Sequence, residues 1–230
     1  MPNVQGMYWL SGLLVITPLS QAIAFLIETS SWLVRAQSSS TDVGLYVGRS
    51  NIYLYSARMF TLIFTASLAF CVEIGYPVQI IFQIIYSTFF LSALFHIVFI
   101  YRSIRSIAMK VISGALMLPS RREVGNSLNI SNFSDKLFFM TLFTSVIFSI
   151  SLAAPILGAL IVPDFRLSIS YIGQIINFFG TIVILLFVDQ ILFKAIDLQK
   201  INDVIMSYVA GRAVGFLLVG IGFFCVRYNL

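Results

Sequence analysis

The chain has 230 residues, 59% of them hydrophobic and only 10% charged, with a formal net charge of +5 and a mean hydropathy of +0.98. Soluble domains carry about 25% charged residues, so a water-solvated globular surface is excluded and lipid is the expected solvent. About 20 apolar residues cross a bilayer as a helix, and the chain divides into about six such runs: an all-α, polytopic membrane bundle forming one transmembrane domain over residues 1–230, with no room for a separate soluble domain.

The amino-terminal stretch MPNVQGMYWLSGLL holds no basic residue. It lacks the charge pattern of a cleaved signal peptide, so the first apolar run, residues 8–33, is expected to be a retained helix. It carries Glu28 in an otherwise uncharged stretch, and Pro18, which membrane helices tolerate where neighbours re-satisfy the backbone. Residues 35–49 are polar and read as a loop. A second span follows over 52–74, with Arg58 well inside it and Glu73 at its boundary. Gly75-Tyr76-Pro77 signals a turn. The third span covers 78–100 and contains the single histidine, His96.

Residues 101–136 form the longest polar stretch. Within it Ile104, Ile107, Ala108, Val111, Ile112 and Ala115 recur with helical period, while Arg105 and Lys110 lie off that face. This predicts a short basic amphipathic helix at the membrane surface, between the third and fourth spans. Residues 121–134 are rich in Ser and Asn and read as a loop; their two glycosylation-like triplets are too short to carry an argument. The fourth span runs over 137–162 with Pro155 near its end, Pro163-Asp164 opens a turn, and the fifth and sixth spans cover 167–187 and 204–226.

The basic residues are unevenly spread. Arg35, Arg49, Arg102, Arg105, Lys110, Arg121, Arg122, Lys136, Lys194 and Lys200 all fall in or beside the first, third and fifth connections; Arg166 and Arg227 stand opposite. The positive-inside rule then puts both termini outside the cytoplasm. The net charge is therefore a topology signal, and nucleic acid is not an expected partner. Cys71 and Cys225 lie in apolar runs as unpaired thiols. One histidine and no clustered ligands leave no metal site, and no cofactor is expected.

Ionisable groups in hydrocarbon are costly and mark pathways or pairs. Glu28, Arg58, Asp189 and Arg212 are such groups; Arg35, Lys194 and Asp197 sit nearer helix ends and can snorkel. Glu28 and Arg35 are seven residues apart, as are Asn51 and Arg58, so each pair shares a helical face. Gln174, Asn177 and Thr181 share another. Gly211-Arg212-Ala213-Val214-Gly215 is a G-x-x-x-G, which lets a partner helix approach closely. Such groups serve either a polar pathway or simple helix-to-helix bonding. No phosphate-gripping glycine loop and no Ser/His/Asp set is present, so a transporter is expected rather than an enzyme.

The residues resemble the Amj family of lipid II flippases. The resemblance is carried by Glu28-Thr29 and Val34-Arg35 in "FLIETSSWLVR", by Asn51-Ile52 with Arg58 seven residues after Asn51, by "QIINFFGTIVILLFVDQILFKAID" with Asn177, Asp189 and Asp197, and by "GRAVGFLL" with Arg212 and Gly215. It touches the first, second, fifth and sixth spans. Gln190, Gly211 and Phe216 stand where the family pattern has proline, serine and threonine. The resemblance implies translocation of an undecaprenyl-pyrophosphate-linked saccharide, lipid II foremost, across the bacterial cytoplasmic membrane for cell-wall synthesis. It implies Glu28, Arg35, Asn51, Arg58, Asn177, Asp189, Asp197 and Arg212 as binding or translocation residues. Arginine forks suit pyrophosphate, with the carboxylates as counter-ions. The expected partners are the lipid-linked saccharide and membrane lipids, and the small size is compatible with a homodimer. Two other readings stay open: a small-ion or small-solute transporter or channel, and a membrane scaffold for an envelope-assembly complex.

Overall fold

A computed structural model describes residues 4–39, 41–119 and 128–228. Among these residues there is no strand, and six helices are long and apolar enough to cross a membrane. The chain is an all-α polytopic membrane bundle, as its hydropathy requires.

The spanning helices are α1 (Val4–Ala36), α2 (Val43–Glu73), α3 (Val78–Ile100), α5 (Lys136–Ile161), the composite of α6 (Arg166–Val183) with α7 (Asp189–Asp197), and α8 (Ile201–Tyr228). A short α4 (Arg102–Ala115) lies between α3 and α5. The second helix starts earlier than its hydropathy suggests. Its polar first turns are held by the protein rather than by lipid: Tyr46 is fully buried and donates to the Pro119 carbonyl, and Ser50 accepts from Arg35. The fifth span also runs past its expected end, through a π-helical turn at Ile184–Val188.

Packing follows a simple order that differs from chain order. Helix α2 packs on α1, α1 on α3, α3 on α8, α8 on α5, and α5 on α6. The result is a horseshoe whose ends, α2 and α6–α7, are the two least buried spans. Close approach of α8 to α5 depends on Gly211 and Gly215. A Cβ at Gly211 would stand 2.6 Å from the Phe138 carbonyl oxygen, and one at Gly215 2.7 Å from Ser145 Cβ. The G-x-x-x-G thus faces a helix inside the same chain.

The described parts of three connections, 37–39 with 41–42, 101–119 with 128–135, and 198–200, gather at one end of the bundle. Ser113 Oγ donates to Gln37 Oε1 at 2.7 Å, and Asn132 Nδ2 to Ser207 Oγ at 3.0 Å. Asn132, part of a glycosylation-like triplet, is therefore a buried strut. Its carboxamide also closes a reciprocal cap with Asn129 on the 3-10 turn Ile130–Ser134, within the stretch read as loop. Arg121 and Arg122, counted in the orientation argument, lie outside the described residues.

Helix α4 forms where expected, with much of its apolar face uncovered by protein and Arg105 off that face. Ile104, Ile107 and Val111 are exposed, Ala108 and Ile112 are half-buried, and Arg105 is among the largest fully buried side chains. Arg105 Nη1 donates to the Ile100 carbonyl at 3.0 Å and contacts Met206 Sδ at 3.2 Å. It thereby satisfies the last carbonyls of α3, which a helix end leaves orphaned and negatively polarised. The side of α4 that carries Arg105 therefore faces the protein.

Candidate functional site

The horseshoe encloses a cavity of about 600 Å³, within the range of small-molecule sites. Its walls come from α1, α2, α5, α6, α7 and α8. On α1 the lining runs from Gln21 to Arg35, fourteen residues or about 21 Å of helix, against a hydrocarbon core of about 30 Å. The mouth lies between α2 and α6, where Arg58, Leu62 and Asn177 are exposed at the rim.

At the end nearest the basic connections stands Arg35. Its Nε donates to Ser50 Oγ and its Nη2 to Asn51 Oδ1, both at 2.8 Å, while the guanidinium lies 4.2 Å from the Trp32 ring centroid. Helix α2 therefore aims this cation, and the aromatic face supplies part of its solvation. Asp189 attracts Arg35 electrostatically across the cavity without a direct ion pair among the described residues.

Halfway along, Arg212 on α8 meets Glu28 on α1. Arg212 Nη2 donates to Glu28 Oε2 at 2.7 Å and Nη1 to Tyr208 Oη at 3.1 Å; the Phe25 and Phe216 rings flank the guanidinium at 5.5 and 5.3 Å. Its Nε is buried with no hydrogen-bond partner. Arg58, on the rim, is held only by Tyr55, 5.1 Å away, and has no ion pair among the described residues.

At the far end the lining is neutral. Gln21 is 1% exposed, yet its Oε1 has no partner. Ser151 and Asn177 stand at the same end, on α5 and α6.

Helix α7 owes its aim to the π turn. Twelve residues along an unbroken α-helix rotate about 120° beyond whole turns, which would turn Asp189 away from the face of Asn177. A π turn absorbs one extra residue, or about 100°. Both Asn177 and Asp189 line the cavity.

Six of the residues expected at a site, Glu28, Arg35, Arg58, Asn177, Asp189 and Arg212, thus line one cavity. Asn51 lies outside it and positions Arg35. Asp197 is exposed at the end of α7 and does not reach the cavity, nor do Gln174, Thr181 and Lys194. His96 is fully buried behind α1. Its Nδ1 faces the Ser92 carbonyl at 2.7 Å and so carries the hydrogen, leaving Nε2 to accept from Thr29 Oγ1 at 2.7 Å. It is a packed, satisfied histidine. Gln21 and Tyr208 were not singled out from sequence. A signal for Gln21 existed, since Gln21, Glu28 and Arg35 continue one seven-residue spacing. Among the described residues no three His, Cys, Asp or Glu side chains gather as metal ligands.

No family model, no curated protein and no solved structure matches the chain.

Proposed function

We propose that this protein is a flippase for undecaprenyl-pyrophosphate-linked saccharides, lipid II foremost, in the bacterial cytoplasmic membrane, with the basic connections and α4 on the cytoplasmic side. The observation that carries the reading is a charged cavity with its exposed lining residues on the two least buried spans, which in this reading is a sideways opening to lipid. Arg35, Arg58 and Arg212 line a space reaching through much of the membrane's thickness, and its mouth lies between the two least buried helices. A headgroup held there is out of the hydrocarbon, while its polyprenyl chain leaves through the mouth and stays in lipid.

Each cation has a different part in this reading. Arg35 is fixed by Ser50 and Asn51 and is a rigid docking point for pyrophosphate at the cytoplasmic end. Arg58, free of carboxylates and at the mouth, is the group a phosphate meets first. Arg212 is neutralised by Glu28 when the cavity is empty and has an open Nε–H; an arriving phosphate competes with Glu28 for it. The sequence resemblance to Amj-type flippases supports the same cargo.

The test is outward appearance of the lipid II headgroup in cells depleted of their other flippases and expressing this protein alone. Headgroup exposure that rises with the protein and is lost in Arg58→Gln supports the reading. No exposure, with the protein present in the membrane, overturns lipid II as the cargo.

A further inference from the structure

The charged and neutral linings of the cavity are segregated along the membrane normal. Arg212 lies level with the start of α5, because its neighbour Gly211 abuts Phe138 and Thr141. Glu28, paired with Arg212, shares that level. From there Gln21 lies two turns back along α1, about 10 Å, and Ser151 lies about 15 Å beyond Thr141 on α5, both away from the basic connections. Asn177 is one turn from Gly173, whose Cβ would touch the Ser151 carbonyl oxygen at 2.9 Å. Three helices thus bring two carboxamides and a hydroxyl to one end, and no charged side chain lines the cavity at that level.

This end has unmet hydrogen-bonding capacity. Buried acceptors are nearly always satisfied, yet Gln21 Oε1 is not. The Asn177 side chain makes no hydrogen bond among the described residues; only its backbone carbonyl is engaged, by Thr181 Oγ1 at 2.9 Å. Ser151 donates to the Phe148 carbonyl at 2.7 Å and keeps its lone pairs. Phe148 itself also lines the cavity. A phosphate would find no counter-charge here. A group that both donates and accepts, with an apolar face for the ring, fits each feature.

We infer that the Gln21–Ser151–Asn177 end is a saccharide subsite, which takes the first sugar of the lipid-linked cargo while the arginine-lined part holds its pyrophosphate. The inference rests on the lipid-linked reading above and adds a division of labour to it. Sugar hydroxyls and an acetamido group supply the donor that Gln21 Oε1 lacks and the acceptors that the two carboxamide NH₂ groups lack. Specificity for the glycan is set here, away from the charges that hold any polyprenyl pyrophosphate equally.

The experiment is equilibrium binding to the purified full chain in nanodiscs, using two probes: undecaprenyl pyrophosphate, and the same lipid bearing one N-acetylhexosamine. Gln21→Met removes the amide at similar volume, and Asn177→Ala alters an exposed position, so it tests the subsite even if the first variant misfolds. Each is expected to weaken the sugar-bearing lipid about tenfold, the size of one well-made hydrogen bond in a closed site, and to leave the bare pyrophosphate lipid unchanged. Equal weakening of both probes, or of neither, overturns the subsite alone. Binding of neither probe by the unaltered protein sinks the lipid-linked reading, and the subsite with it.

Discussion

Arg212 reaches from α8 to Glu28 on α1 at 2.7 Å, joining two helices that otherwise touch little. The arginine is buried, but the Glu28 side chain is 37% exposed toward the cavity. The pair is therefore closed on one side and open on the other, which suits a contact that must form and break. Removing one partner strands the other charge. Glu28→Gln is expected to lower stability by about 1–3 kcal/mol, below the figure for fully buried pairs because of that open side. Glu28→Gln with Arg212→Gln should recover part of the loss. Thermal unfolding in detergent compares the unaltered protein, Glu28→Gln, Arg212→Gln and the double variant; a double variant weaker than the sum of its singles contradicts the pairing.

Arg58 has no structural duty beyond its contact with Tyr55. Arg58→Gln should leave stability unchanged within about 0.5 kcal/mol and reduce headgroup translocation at least tenfold. Arg58→Lys keeps a point charge without the bidentate fork and should fall between the two. Wild-type translocation in both variants removes Arg58 from the pathway.

The helix contact between α8 and α5 has no room for a side chain at Gly211 or Gly215. Gly211→Leu pushes against backbone and should prevent accumulation of folded protein. Gly222, on the same helix, meets nothing within 4 Å. Gly222→Ala should stabilise by up to about 1 kcal/mol through helix propensity. Expression level and monodispersity of the two variants check the contrast; a well-folded Gly211→Leu would refute the packing.

Arg105→Ala leaves the carboxyl-terminal carbonyls of α3 uncapped and should cost about 1–3 kcal/mol. Lys110→Ala, on the exposed side of the same helix, should cost nothing measurable. Chemical denaturation in detergent that ranks the two variants the other way would contradict the burial of Arg105.

Hydropathy and charge made the six spans, the charged set and the close-packing glycines of α8 legible, because lipid solvation writes itself into every residue of a span. The bundle's order was not legible. Nothing local in α2 or α6 states that these helices end a horseshoe. The π turn at Ile184–Val188 was hidden as well: it changes one step of a hydrogen-bond ladder within an unbroken apolar run, yet it decides where Asp189 points. The burial of Arg105 was not legible, because periodicity ranks side chains by polarity and cannot see an orphaned carbonyl waiting in the interior. Gln21 was overlooked although it sits in register with Glu28 and Arg35, because it stands alone as an amide in the first span rather than in a cluster of amides like Gln174 and Asn177.

The packing order also has a consequence for how the protein is made. Helix α8 leaves the ribosome after the other five described spans, and it is the keystone between α3 and α5. Until it arrives, α1–α3 and α5–α6 are two pieces with little in common, and their charged faces wait in the membrane unmatched, Glu28 without Arg212 among them. Closure of the bundle thus waits for the insertion of α8, and a chain that stops before Ile201 keeps two loosely joined pieces rather than a bundle trimmed at its edge. By the same logic the chain can be divided in the polar stretch between α4 and α5, and the two fragments, made separately, have in α3 and α8 a large preformed surface on which to rejoin.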